Sequence, residues 1–156
     1  MPFTRSNPPG PRKPRVLFHG MHFLAKEGER LIRDVECQRK SDGSGHHAVV
    51  ESVMGGLQTP IHDVTVVLGD RETGRFHRLQ VFFKNNVRLD INKALPHGRV
   101  WRGDILVMHK KEVRHALYTD VEDTAEEMRC VLRAIRVVLD AAERRGLSRV
   151  PQEIWA

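Results

Sequence analysis

Apolar and polar positions change period twice along this chain. From Phe23 to about Lys40, Leu24, Gly28, Leu31, Ile32 and Val35 recur at three and four residues with Lys, Glu and Arg between them, which predicts an amphipathic helix. SDGSG at 41–45 ends it as a loop. Beyond the loop the period shortens to that of strands: HAVVESVM, HDVTVVLGD, RFHRLQVFFK, NVRLDIN, VWRGDILVMH and VRHALYT follow one another from 47 to 119. DRETG at 70–74 and LPHG at 95–98 have the Asp, Pro and Gly of short connections, and Lys110, Lys111 and Glu112 are expected to turn a third hairpin.

The helical period then returns. Thr119 with Glu122, and Thr124 with Glu127, each form a T-x-x-E capping box, so a helix is expected to start near Asp120. Met128, Val131, Leu132, Ile135, Val138, Leu139 and Ala142 give it the most regular apolar stripe in the chain. Arg144, Arg145 and Gly146 supply its basic end and its stop. The fold class expected is α+β, an antiparallel sheet of about six strands with an N-terminal and a C-terminal helix packed on one face. Residues 1–15 read as a disordered basic, Pro-rich arm, 16–150 as a single α+β domain and 151–156 as a short tail.

Composition adds little to this picture until charge is placed along the chain. The 156 residues are 40% hydrophobic and 29% charged, as in ordinary globular domains. The net charge is +6, and four of those charges, Arg5, Arg12, Lys13 and Arg15, stand in the first 15 residues, where there is no acid. The rest of the chain is nearly balanced. With no apolar run of membrane-spanning length and no apolar leader near the N-terminus, the expected compartment is cytoplasmic or nuclear, with no membrane partner. Cys37 and Cys130, expected on the two helices, are too few for a disulfide framework and read as free thiols.

Candidate chemistry is sparse. No G-x-S-x-G, H-E-x-x-H, G-x-x-x-x-G-K or G-x-G-x-x-G motif is present, and no catalytic residue or cofactor is assigned. The His-rich region supplies metal candidates, His19 and His22 as an H-x-x-H pair with Cys37, His46, His47 and His62, which would serve a metal-dependent protein or enzyme. Arg102-Gly103-Asp104 matches the tripeptide displayed to integrins. Ahead of the apolar run Ile105 to Met108, however, it reads as the opening of a strand, with Gly103 permitting a bend and Arg102 and Asp104 facing solvent.

The basic residues suggest more. PRKPR at 11–15 resembles the flanks of an AT-hook without its Arg-Gly-Arg-Pro core, and Pro8, Pro11 and Pro14 make P-x-x-P frames similar to SH3 ligands. On the last helix Arg129, Arg133 and Arg136 share one stripe, flanked by Glu126, Asp140 and Glu143, which are placed to form ion pairs with them. The leading reading is a non-enzymatic binding or interaction module with a basic arm, contacting nucleic acid or another anionic partner through Arg5, Arg12, Lys13, Arg15, Arg129, Arg133 and Arg136. The alternative is a metal-dependent protein built on residues 19–62. Neither partner identity nor oligomeric state follows from the sequence.

Overall fold

The computed structural model describes residues 15–43, 45–55, 59–84, 86–96, 99–112 and 117–156. In chain order the elements are β1 (Arg15–Phe23), β2 (Arg30–Arg39), β3 (His46–Val49), α1 (Glu51–Met54), β4 (Ile61–Gly69), β5 (Phe76–Lys84), β6 (Ile105–Glu112), β7 (Leu117–Thr119), α2 (Ala125–Arg145), a 3-10 turn at Leu147–Arg149, and β8 (Glu153–Trp155). The strands form one eight-stranded sheet in the order β3-β2-β1-β6-β5-β4-β8, with β7 also paired to β6.

The expected fold class is corrected here. The sheet is mixed, because β8 runs parallel to β4, Thr65 pairing with Glu153 and Val67 with Trp155. α2 supplies the crossover that makes a parallel return feasible. What was expected to be a short tail is thus an edge strand.

Residues 23–40 form no helix. Their apolar spacing fits two periods, and the strand alternation prevails, burying Val35 and Cys37 on one face of β2 while β1 pairs with it along its whole length. Gly28 adopts φ +69, a left-handed conformation that interrupts any helix, and the Gly28 N–H to Leu24 O bond of 3.0 Å closes the β1–β2 turn. Cys37 is therefore a strand residue.

Three further expectations change. Only 47–49 of the predicted 47–54 strand is extended, within β3, and residues 51–54 make one helical turn that buries Met54. NVRLDIN forms turns with a single bridge, Ile91 to Arg102. Its alternation misleads because Asn92 is buried as a pin: its Nδ2 donates to Phe23 O (3.1 Å) and Gly103 O (3.0 Å) while its Oδ1 accepts from Ala94 N. Lys110 to Glu112 belong to β6 and not to a turn, and residues 113–116 after them lie outside the described residues. The DRETG hairpin connects β4 and β5 as expected.

β6 pairs with β1 only over Ile105 to Val107 and with β7 from His109 onward. β1 carries β2 and β3 away from β6 at that point, and the sheet curls into a half-barrel. One face packs against α2 through Met21, Phe23, Val64, Val66, Leu79, Val81, Phe83, Ile105 and Val107 from the sheet and Val131, Ile135, Val138 and Leu139 from the helix. The other closes on itself around Val35, Cys37, Met54, Phe82, Leu106, Met108 and Tyr118.

Candidate anion-binding face

α2 starts later than its first capping box suggested. Thr119 ends β7, and Asp120 and Val121 are held extended against β1, Asp120 Oδ1 accepting from His19 N at 2.7 Å and Val121 N donating to His19 O at 2.9 Å. The second box sets the start: Thr124 Oγ1 accepts from Glu127 N at 3.1 Å. Gly146 N donates to Ala142 O at 2.9 Å and ends the helix. The apolar stripe is buried on the sheet, so Arg129, Arg133 and Arg136 lie on the solvent side, where all three are exposed.

Two of the three acids that flank this stripe, Asp140 and Glu143, serve Arg99. Asp140 accepts from Arg99 Nη2, with Glu143 3.3 Å from the same nitrogen, and this pairing keeps the Arg99 guanidinium protonated even more firmly than usual. Glu127 is engaged by His109 Nδ1 at 2.8 Å. Arg129, Arg133 and Arg136 consequently make no ion pair among the described residues, contrary to the salt-bridged face expected from spacing.

The β4–β5 turn brings further arginines to the same surface. Asp70 shapes it, its Oδ1 accepting from Glu72 N at 2.9 Å, and its hydrogen bonds from Thr73 and Glu72 hold the carboxyl below the usual carboxylate range. Arg71 and Arg75 project from this turn. Arg71 lines a cleft of about 460 Å³ with Arg129, Arg133 and His77, which Asp70, Glu72 and Glu126 also line, and with Arg75 a neighbouring one of about 320 Å³ bounded by Phe76 and Arg133. Phe76 and Trp155 stay largely exposed, edge to face at 5.7 Å, with the Arg78 guanidinium 5.5 Å from the Trp155 ring centre. A third cleft, of about 460 Å³, has an apolar floor of Leu95, Leu132, Ile135 and Leu139 edged by Arg99, Arg133 and Arg136.

The other candidates are dispersed. Arg5, Arg12 and Lys13 lie outside the described residues, and Arg15 opens β1. His19 and His22 are on a strand: His19 Nε2 meets Asp34 at 3.0 Å, whereas His22 is fully buried with Nε2 2.8 Å from Asp104. Cys37 is in the inner core, where burial pushes its thiol up to about 12. His46 lies edge to face with Phe18, His47 is exposed on β3, and His62 stacks on Phe83. Among the described residues no three His, Cys, Asp or Glu side chains gather in a metal-holding group. Burial also raises the Cys130 thiol, so neither cysteine has the depressed pKa of a nucleophile.

The Arg-Gly-Asp tripeptide is wired into the fold. Arg102 is exposed, as expected, and donates to Leu89 O at 3.0 Å. Gly103 takes φ +98, where a Cβ would sit 2.9 Å from Leu89 Cδ1. Asp104 does not face solvent freely: it accepts from Ala25 N at 2.8 Å and from His22, and those hydrogen bonds hold its carboxyl low despite burial.

Sequence reasoning missed Arg71, Arg75 and Phe76. The signal was present in RETGRF, two arginines and an aromatic in a hairpin turn, but turn composition alone absorbed it. No family model, curated protein or solved structure matches the chain, so each role argued for a residue rests on the geometry above. Among the described residues no helix is long and apolar enough to cross a membrane.

Proposed function

We propose that this protein is a non-enzymatic binding module that offers the outer face of α2 to nucleic acid. The observation that carries the reading is that Arg129, Arg133 and Arg136 stand exposed along one stripe and make no ion pair among the described residues, Asp140 and Glu143 being taken by Arg99. An unpaired guanidinium loses nothing internal when it meets a phosphate, and its fork suits bidentate contact. Arg71 and Arg75 extend the charge beside the stripe, and exposed Phe76, which bounds the cleft with Arg133, offers a ring for an unpaired base. Arg5, Arg12, Lys13 and Arg15 add sequence-independent attraction in this scheme.

The test is the salt dependence of binding to mixed-sequence single-stranded and duplex oligonucleotides, followed by fluorescence anisotropy. Replacing Arg129, Arg133 and Arg136 together by Gln removes three charges. The slope of log affinity against log salt should then flatten by about 2–3, since each phosphate contact contributes roughly 0.7–0.9. Absence of binding by the unmodified chain, or an unchanged slope in the triple variant, would reject the α2 face as the site. Removing residues 1–14 should flatten the slope further and uniformly across sequences.

A further inference from the structure

β3 covers only one end of the outer edge of β2. Glu36 to Arg39 pair with Val49 to His46, while Arg30 to Asp34 pair with β1 on one side and with no strand among the described residues on the other. This open stretch, Arg30-Leu31-Ile32-Arg33-Asp34, is longer than β3 itself. Leu31 and Ile32 are each 36% exposed, and Arg30 and Asp34 are exposed beside them. An open edge presents unpaired N–H and C=O groups, and proteins commonly guard such edges with charge. Here the arrangement of signs does the opposite.

When an edge strand meets its own copy across a two-fold axis in an antiparallel ladder, one residue sits opposite itself and its neighbours pair outward symmetrically. Centring on Ile32 sets Ile32 against Ile32 and Arg30 against Asp34 of the second copy on both sides. These residues alternate onto one face, so two ion pairs bracket an apolar pair. On the opposite face Leu31 meets Arg33 of the second copy, whose aliphatic stem can cover it. Other registers do worse: centring on Arg33 sets Arg33 against Arg33, centring on Asp34 sets carboxylate against carboxylate, and centring on Leu31 leaves Arg30 opposite Ile32. His19 Nε2, 3.0 Å from Asp34 Oδ1, is positioned to hold that carboxylate along the strand face.

We propose that two copies of this chain associate edge to edge through β2, antiparallel and centred on Ile32, joining their sheets into one. A ladder of five residues gives a weak, concentration-dependent dimer, since each cross-strand pair contributes only a few tenths to about 1 kcal/mol. The surface is separate from α2 and does not depend on nucleic-acid binding.

Sedimentation equilibrium from low micromolar to near-millimolar protein tests it. The weight-average mass should climb from 17.9 kDa toward twice that value. Arg30→Asp sets Asp against Asp34 twice, and Asp34→Arg sets Arg against Arg30 twice, so each should weaken association by about tenfold or more. The double swap, Arg30→Asp with Asp34→Arg, recreates both ion pairs in reverse and should recover association to near the original. Because the double variant contains both substitutions, its recovery also excludes unfolding as the cause of the single losses. A chain that stays monomeric throughout, single variants that associate as tightly as the original, or a double variant that does not recover would overturn the proposal.

Discussion

The two faces of the sheet are stabilised by different means. The face under α2 is mainly apolar from Met21 across to Leu68, covered by the helix stripe, with the half-buried His109–Glu127 pair as its polar exception. The inner face, closed by the sheet's own curl, carries polar side chains between its apolar residues. Tyr118 OH donates to Gln80 Oε1, and Gln80 Nε2 donates to Asp63 Oδ2 at 2.8 Å. Lys110 Nζ stands 3.3 Å from Thr65 Oγ1, with burial lowering the pKa of its ammonium. A helix offers a continuous apolar ridge, so it can exclude water along its whole length. A sheet folding over itself must also bring polar residues along, and those have to satisfy one another.

The sharpest break of this contrast is a charge under the helix. Val138 is 0% exposed in the α2 core, and Val138→Asp buries a carboxylate without a cation. The expected loss exceeds about 4 kcal/mol, enough to unfold most domains of this size. Arg133→Asp, one position outside the apolar stripe, should leave the urea midpoint within about 0.5 kcal/mol of the original. Circular dichroism across a urea series compares them. Equal tolerance of the two would mean that α2 does not seal the face.

On the inner face a milder change should be felt through hydrogen bonding alone. Tyr118→Phe keeps the ring and deletes the hydroxyl, leaving Gln80 Oε1 without its donor at a site where Gln80 is 8% exposed. The expected cost is about 1–3 kcal/mol, read from the urea midpoint at unchanged m-value. A loss below a few tenths would show that the polar chain is not part of what holds this face closed.

How far these features could be read in advance depends on whether their causes are local. α2 was legible because the apolar stripe, the Thr124 cap and the Gly146 stop all agree within one segment. The segment 30–39 was not, since its apolar residues satisfy both periods and the deciding partner is β1, which has to be known first. β8 was overlooked because three residues carry no measurable period and the pairing is with β4, far back in the chain. The same distinction applies to the site. The arginine spacing on α2 was visible, but the diversion of Asp140 and Glu143 was not, because Arg99 is 41 residues from Asp140 in sequence. The inner polar chain was invisible for the same reason, Gln80 and Tyr118 being 38 residues apart.

The smallest effect expected is a pH dependence confined to the inner face. Burial raises the Cys37 thiol from 9.0 to about 12, so the folded chain keeps a proton that the unfolded chain releases sooner. Its contribution to stability is fully present below pH 9 and is lost progressively as pH rises from there toward 12, at up to about 1.4 kcal/mol per pH unit. Lys110 shifts the other way, which is why the original chain alone is not diagnostic. Cys37→Ala removes the thiol and leaves Lys110, Cys130 and the Tyr118 ring in place, so comparing the two proteins reads Cys37 together with its charge coupling to Tyr118. The substitution should cost something at pH 8 through a small cavity, whereas between pH 8 and pH 10 the original should lose about 1 kcal/mol more than the variant. Urea midpoints under reducing conditions supply all four values. Parallel pH profiles would mean that Cys37 reaches solvent in the folded state and that the inner face is not closed around it.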